Sequence, residues 1–299
     1  MKILALFSFF LLSLSTRLAA VEFNIASFNI RNAPNENANA WPLRKANAKA
    51  IIDHYDFDIC GLQEAYFHQV KFLAGDNLSF TGVGRDDGKT AGEHAAILFN
   101  PKKFQLLDSG TFWFSDTPEK ASIGWGASYR RICSWAKFKS VPDKKIFFVF
   151  NCHLDHQSRE SQEKSVALLL KKLESVAGGA PCILTGDFNL PVSSAILKPL
   201  AENKNFKDVV LSPELYGPNF SYHAYMLADK EVNAHAKTSE HIDHIFVPKN
   251  MKILKARVIT DCVSALPDDM KNPCDNVNER AGRVGFASDH FPILARVRF

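Results

Sequence analysis

Short apolar segments of strand length recur along the whole chain, and they restrict its possible folds more than any other feature. The predicted strands are Glu22 to Ile30, Ile59 to Leu62, Ala95 to Phe99, Ile132 to Phe138, Ile146 to Cys152, Ile183 to Asp187, His244 to Val247 and Ile293 to Val297. Trp41 to Tyr55 and Ser158 to Val176 have helical periodicity instead. Because strands outnumber helices and several connections are too short for a helical crossover, we predict one mixed α/β or α+β sandwich.

The first twenty residues, MKILALFSFFLLSLSTRLAA, have the layout of a secretory signal peptide. Lys2 precedes an apolar run from Ile3 to Leu14, which is short for a membrane span, and small residues end the segment. An uncleaved anchor is the alternative. We expect a signal peptide over residues 1–20, one domain over residues 21–299, and a secreted or periplasmic monomer without a stable membrane anchor.

The formal net charge gives little information about what the protein binds. Removal of Lys2 and Arg17 with the signal peptide lowers it from +4 to +2. Such a weak excess does not by itself indicate a nucleic-acid partner.

Six cysteines would suit disulfides in an oxidising compartment, although a chain of this length does not need them. Cys60, Cys152 and Cys182 lie in or beside apolar runs and are predicted to be buried thiols. Cys262 and Cys274 flank a stretch rich in Pro, Asp and Asn, so they either form a disulfide or remain free. The sequence contains no Cys-x-x-Cys or His-Glu-x-x-His motif, which argues against a zinc site of the usual kinds.

Six apolar strands end in polar residues that can bind a metal or carry a proton. These ends are Phe28-Asn29-Ile30-Arg31-Asn32, Gly61-Leu62-Gln63-Glu64, Asn151-Cys152-His153-Leu154-Asp155-His156, Gly186-Asp187-Phe188-Asn189, His241-Ile242-Asp243-His244 and Ser288-Asp289-His290. Turn chemistry could explain any one of them. In an extended chain, Asp187 and Asn189 share a face while Phe188 points into the core. Together the six ends predict one polar basin at the edge of the sandwich.

The residue types in this basin narrow its chemistry. Glu64, Asp187, Asp243 and Asp289 supply carboxylates, and hard oxygen ligands favour magnesium, manganese or calcium. Crowded carboxylates repel one another unless a cation lies among them. Magnesium takes few protein carboxylates, so the remaining acids can orient a histidine or activate water. This division of roles suits hydrolysis of a phosphate ester.

The six motifs, in this order, resemble the endonuclease/exonuclease/phosphatase superfamily from Phe23 to the C-terminus. The resemblance implies a four-layered α/β sandwich, with two mixed sheets face to face and helices outside. It also implies metal-dependent cleavage of a phosphoester, with Mg²⁺ as cofactor and Mn²⁺ as the alternative.

Site residues follow from the same resemblance, motif by motif. Glu64 is implied as the main metal ligand, with Asn29 and Asp289 completing or steadying the metal site. Asp187 orients or deprotonates the attacking water, and Asp243 and His290 form an acid-histidine pair. The residues implied to hold phosphate oxygens or other parts of the substrate are His153, Asn189, Asn151, Arg85, Arg131 and His156.

Further stretches resemble a secreted, largely bacterial subgroup related to the deadenylase-type branch. They include Gly82-Val-Gly-Arg-Asp-Asp-Gly88 with Glu93, and Arg131-Ile-Cys-Ser-Trp135. Arg85, Asp86, Glu93, Arg131, Asp155 and His156 are therefore expected to surround the pocket. The structural alternatives are an ion-paired loop for the first three, and a helix cap for Asp155 and His156.

Three functions remain open from the sequence. A phosphodiesterase or nuclease acting on DNA or RNA is the default. Hydrolysis of a lipid headgroup or phosphorylated sugar is the alternative, because the chain lacks the long basic run on which nucleic-acid affinity draws. A binding protein that reuses the fold without catalysis is the third.

Overall fold

The computed structural model describes residues 20–32, 39–225, 240–261 and 286–299. In chain order the strands are β1 (Glu22–Asn29), β2 (Ile59–Gln63), β3 (Ser79–Thr81), β4 (Ile97–Phe99), β5 (Phe104–Trp113), β6 (Ile132–Ser140), β7 (Ile146–His153), β8 (Cys182–Asp187), β9 (Phe206–Asp208), β10 (Leu215–Tyr216), β11 (Asp243–Pro248), β12 (Lys252–Val258) and β13 (Ile293–Arg298). The helices are α1 (Trp41–His54), α2 (Phe67–Ala74), α3 (Arg159–Ala177) and α4 (Lys198–Ala201).

These strands form two mixed sheets. The first has the order β10-β12-β13-β1-β2-β4-β3, in which β1 runs parallel to β2 and β10 runs parallel to β12. The second has the order β5-β6-β7-β8-β11-β9, in which β7 and β8 are parallel. Because parallel strands end at the same edge of a sheet, the carboxyl ends of β1 and β2 lie together, as do those of β7 and β8.

Three apolar layers hold the sheets and helices together. Phe23 of β1 stacks on Phe147 of β7 between the two sheets, with ring centroids 5.7 Å apart. Phe28, on the opposite face of β1, belongs to the core that includes α1 and α2. Phe150 of β7 belongs to the core that includes α3 and α4. The predicted four-layered sandwich is therefore confirmed.

All eight predicted strands and both predicted helices are present, with ends shifted by a few residues. The sequence did not predict α2 or the two long strands β5 and β12. β5 is an edge strand, and both strands interrupt their buried apolar residues with exposed or half-buried ones. Such a pattern is typical of strands with one face in solvent, and it gives a weak apolar signal.

Some predictions concern residues outside the described part of the chain. The predicted signal peptide lies within residues 1–20, of which only Ala20 is described, and Cys262 and Cys274 are not described. Cys60, Cys152 and Cys182 are buried free thiols, as predicted. Among the described residues, no helix combines the length and the apolar character needed to cross a membrane.

Asn151 corrects one sequence prediction, because it lies between the sheets rather than in the substrate cleft. Its Nδ2 donates to the carbonyl oxygens of Leu62 and Ala96 in the first sheet, at 2.8 and 2.9 Å. Its Oδ1 accepts from Gln63 Nε2 and Thr185 Oγ1. Asn151 shares a face of β7 with His153, but two residues along a strand span about 6.6 Å. The Asn151 side chain therefore points into the space between the sheets, two residues further from the cleft along β7 than His153.

We expect Asn151→Leu to lower the free energy of unfolding by about 3 kcal/mol, because several buried polar groups would lose their partner at once. Urea unfolding followed by circular dichroism measures the change. Asn205→Leu, at an exposed position, is the matched control and should shift stability by less than about 0.5 kcal/mol. Equal stability of the two variants would contradict a bridging role for Asn151.

Candidate active site

The ends of three adjacent strands in the second sheet place His153, Asp187 and Asp243 side by side. The register pairs His153 of β7 with Asp187 of β8, and Asp187 with Asp243 of β11. His153 Nε2 lies 3.6 Å from Asp187 Oδ2. All three side chains are buried or nearly so. Strand pairing alone thus assembles a histidine and two carboxylates that are far apart in sequence.

Asn29, at the end of β1, connects the acids of the two sheets. Its Nδ2 donates to Glu64 Oε1 at 3.0 Å and to Asp187 Oδ2 at 2.9 Å. Its Oδ1 accepts from the backbone N–H of Arg31. Both ends of the amide are therefore engaged, and this arrangement steadies Glu64 and Asp187 in position.

Glu64 has a left-handed backbone conformation, with φ at 62°. Arg31 and Asn189, which also lie at strand ends of the site, have φ values of 49° and 50°. Such conformations are uncommon for residues other than glycine, and strained backbones cluster at functional sites. Because α2 begins at Phe67, Glu64 is not a carboxylate in the first turn of that helix.

Asp243 and His290 form the predicted acid-histidine pair. His290 Nδ1 lies 2.8 Å from Asp243 Oδ2, so the ring presents Nε2 on its other side. That nitrogen lies 3.8 Å from Asp187 Oδ2. The second oxygen of Asp243 is buried and has no hydrogen-bond partner among the residues that the structure describes.

Burial and neighbouring charges shift the protonation of these groups in different directions. Burial raises the pKa of the Asp187 carboxyl, and repulsion by Asp243 raises it further. Burial would lower the pKa of His290, but the carboxylates of Asp243, Asp187 and Asp289 together outweigh burial and raise this pKa. The pKa of His153 is held well below its usual range by burial, and by the positive charges of Arg131 and Arg85. Asp187 therefore lies between His153, whose pKa is lowered, and His290, whose pKa is raised.

The stretch Asp187-Phe188-Asn189 alternates as predicted. Phe188 is fully buried and packs edge-on against His244 and Phe246. Asn189 lies beside the cleft; its backbone N–H donates to Asp187 Oδ1, and its Nδ2 donates to the carbonyl oxygen of Leu154. The buried ring thus fixes the two polar residues on either side of it.

Nine of the twelve predicted site residues line one cleft of about 630 Å³. They are Glu64, Arg85, Arg131, His153, His156, Asp187, Asn189, Asp289 and His290. Asn29 and Asp243 contact these residues from behind, and Asn151 lies outside the cleft. Asp289 is ion-paired with Arg31, with 2.6 Å between Oδ2 and Nη1.

The chemistry of the cleft fits a divalent cation. Asp187, Asp243 and His290 place one potential ligand atom each within 4.8 Å of one another, which makes a possible acidic metal site. His290 Nδ1 and Asp243 Oδ2 already bind each other. Glu64 faces the same cleft and brings a further pair of carboxylate oxygens. A divalent cation would stabilise this arrangement, because the carboxylate oxygens are hard donors that lie close together. One of them, Asp243 Oδ1, is buried without a hydrogen-bond partner among the described residues.

A family profile provides the decisive comparison. The profile of the Endonuclease/Exonuclease/phosphatase family matches residues 23–290, which is most of the chain. The chain belongs to this family.

Solved structures of family members cover nearly the same length. A family protein from Bacteroides thetaiotaomicron is 32% identical, with a TM-score of 0.82, and the match covers 94% of this chain and 98% of that one. A mannosyl-6-phosphatase from the same species is 31% identical, with a TM-score of 0.81 and coverage of 93% and 100%. Membership of the family and this similarity support phosphoester hydrolysis as the class of reaction.

Curated relatives match over shorter stretches. Protein angel of Drosophila melanogaster is 28% identical over 170 residues, which is 52% of this chain and 46% of that protein. The chain spans less than half the length of the curated relatives it matches. The match to angel agrees with the resemblance to the deadenylase-type branch, and the secreted subgroup stays a prediction.

Sequence reasoning missed two features of this family site. Tyr222 packs on His290 with ring centroids 4.9 Å apart, and Tyr129 lines the cleft near Arg131. Both tyrosines lie outside helices and long strands, where no periodicity identifies them. His244 is fully buried and has a structural role. Its Nδ1 lies 2.7 Å from Asp208 Oδ2, and its Nε2 lies 2.9 Å from the carbonyl oxygen of Leu190.

Proposed function

We propose that this protein is a divalent-metal-dependent phosphoesterase whose substrate is a small phosphate ester of a sugar. One observation carries the reaction: Asp187 lies between His153 and His290, within 4 Å of each, in a cleft that also contains Glu64. The substrate class is supported by 31% identity to a mannosyl-6-phosphatase over nearly the whole of both chains. The weak net charge favours it too.

Glu64 would hold the cation, with Asn29 steadying its carboxylate and Asp289 close by. We propose Mg²⁺, with Mn²⁺ as the alternative, because the donors are hard oxygen atoms. When bound, such a cation withdraws charge from the phosphate oxygens and so favours attack at phosphorus.

The residues of this chain would divide the remaining work of hydrolysis. Asp187 orients the attacking water and accepts its proton, while the water oxygen forms a bond to phosphorus and the bond to the leaving oxygen breaks. His153 and Asn189 hold phosphate oxygens. Asp243 fixes the ring of His290 so that Nε2 donates to the phosphate. The leaving oxygen takes up a proton through solvent, so ester and water give an alcohol and inorganic phosphate.

Nucleic acid is the second candidate substrate, and it is the default from the sequence. Tyr129 and Tyr222 at the cleft are 52% and 45% exposed, and exposed aromatic rings can stack on bases. The signal-like segment of residues 1–20 leads us to propose further that the protein is exported. That it acts as a monomer stays a prediction.

An activity screen tests the proposed function. Purified protein is incubated with hexose 6-phosphates, aryl phosphates, single-stranded DNA and RNA, each with Mg²⁺, Mn²⁺ or Ca²⁺ and with EDTA. We expect release of inorganic phosphate from the sugar esters with Mg²⁺ or Mn²⁺, and none with EDTA. Fast degradation of DNA or RNA with no turnover of the small esters would select the nuclease instead, and no hydrolysis of any ester would favour a binding protein.

A further inference from the structure

One side of the cleft is formed by charged and aromatic side chains that the proposed hydrolysis does not use. We call this set, which consists of Arg85, Glu93, Tyr129, Arg131 and His156, the arginine wall. Arg85 Nη1 binds Glu93 Oε2 at 2.5 Å. Arg131 Nε lies 3.5 Å from Oδ1 of Asp155, which is behind the wall and fully buried. Each guanidinium thus faces its own carboxylate.

The charges of the arginine wall are balanced. Arg85 and Arg131 supply two positive charges, and Glu93 and Asp155 supply two negative charges. A subsite for a second phosphate needs cations that exceed the local acids, because the ligand itself is anionic. Glu93 would repel such a ligand. A neutral group that both donates and accepts hydrogen bonds suits this wall better than an anion.

The arginine wall also offers a hydrogen-bond donor on His156, which Arg131 holds in place. Arg131 is only 4% exposed, and its Nε faces Asp155 behind the wall. Its Nη2 contacts His156 Nδ1 at 2.9 Å. Because a guanidinium can only donate, Nδ1 must accept this hydrogen bond, and the ring proton of His156 is then on Nε2. That N–H is the donor that His156 can offer to a ligand.

Tyr129 adds an aromatic surface to these polar groups. The guanidinium carbons of Arg85 and Arg131 lie 5.1 and 5.9 Å from its ring centroid, and the ring runs nearly parallel to that of His156. About half of the residue nevertheless remains exposed. A sugar ring would match these side chains, because it carries hydroxyl groups around its edge and C–H groups on its faces.

We propose that the arginine wall binds the hydroxyl groups of the leaving group, so that the enzyme selects phosphate esters of cyclic polyols over simple esters and bisphosphates. This inference rests on the proposed function. It differs from that function in assigning selectivity to residues that do not contact the phosphate. His156, held by Arg131, donates to ring hydroxyls, Glu93 accepts from them, and Tyr129 covers one face of the ring.

Kinetics with paired substrates tests the arginine wall. Hexose 6-phosphate is compared with p-nitrophenyl phosphate, which has no hydroxyl groups, for the variants His156→Phe and Tyr129→Leu. We expect kcat/KM for the hexose ester to fall about tenfold in each variant, mainly through KM, because a ligand hydrogen bond or a contact surface is lost. The value for p-nitrophenyl phosphate should change by less than about twofold.

Tyr216→Leu is the matched control for Tyr129→Leu, because Tyr216 is 76% exposed on β10. It should leave both substrates unaffected, and thermal unfolding checks that every variant is folded. Equal losses on both esters, or no loss on the hexose ester, would overturn the role of the wall. So would a wild-type preference for hexose 1,6-bisphosphate. Turnover of p-nitrophenyl phosphate without preference for the sugar ester would remove this inference alone, whereas no turnover of either ester would remove the proposed function with it.

Discussion

Asp187→Asn should reduce kcat by about a thousandfold while leaving the fold intact, because the amide cannot accept the proton of the attacking water. The substitution keeps the size of the side chain. One oxygen remains to accept from the Asn189 backbone N–H, and the packing of Phe188 does not change. The measurement is steady-state hydrolysis of the best ester from the substrate screen, together with thermal unfolding.

The matched control for this prediction is Asp108→Asn. Asp108 is exposed on β5 and bonds only its neighbouring backbone. Its loss should leave turnover within about twofold of the wild type, as expected for a surface substitution. If Asp187→Asn retained more than a tenth of wild-type turnover, the water-activating role of Asp187 would be wrong.

Glu64→Gln should abolish most hydrolysis and also weaken binding of the cation. Because ligand charge governs affinity for hard cations, we expect Mg²⁺ or Mn²⁺ affinity to fall at least about tenfold. The amide can keep one contact with the Asn29 side chain, so the fold should survive. Isothermal titration of the metal into the protein without substrate measures this effect independently of turnover.

Glu174→Gln provides the comparison for Glu64→Gln. Glu174 is exposed near the end of α3, and its substitution should change neither metal affinity nor turnover. Unchanged Mg²⁺ and Mn²⁺ binding in Glu64→Gln would exclude Glu64 as the main ligand. The neighbouring group of Asp187, Asp243 and His290 would then be the next candidate to test.

The sequence predicted the core of the fold because the central strands are continuous apolar runs. β7 and β8, for example, are buried on both faces, so their composition alone identifies them. β12 contains exposed lysines between apolar residues, and its identity as a strand depends on pairing with β10 and β13. Pairing is a long-range property that a local pattern does not encode.

The residues of the candidate site also divide into those that a local sequence pattern identifies and those that it does not. Glu64 and Asp187 could be found by their place after an apolar run, whereas Asp243 begins β11 and His290 comes just before β13, so the structure corrects the prediction that these two end strands. Asn151 shared the same signal, but its depth along β7 placed it between the sheets. Tyr129 and Tyr222 carry no local signal, because the chain around them has no regular period.

The sequence by itself determined which residues could do chemistry here: the acids, amides and histidines beside apolar strands, and the buried Phe188 that separates two of them. Only the tertiary structure decided how they combine. Register pairs His153 with Asp187 and Asp187 with Asp243, and Asn29 joins the acids of both sheets. The physical reason is range: apolar periodicity acts over a few residues, whereas contacts between strand ends join distant residues such as Asn29 and Asp187, which are 158 positions apart.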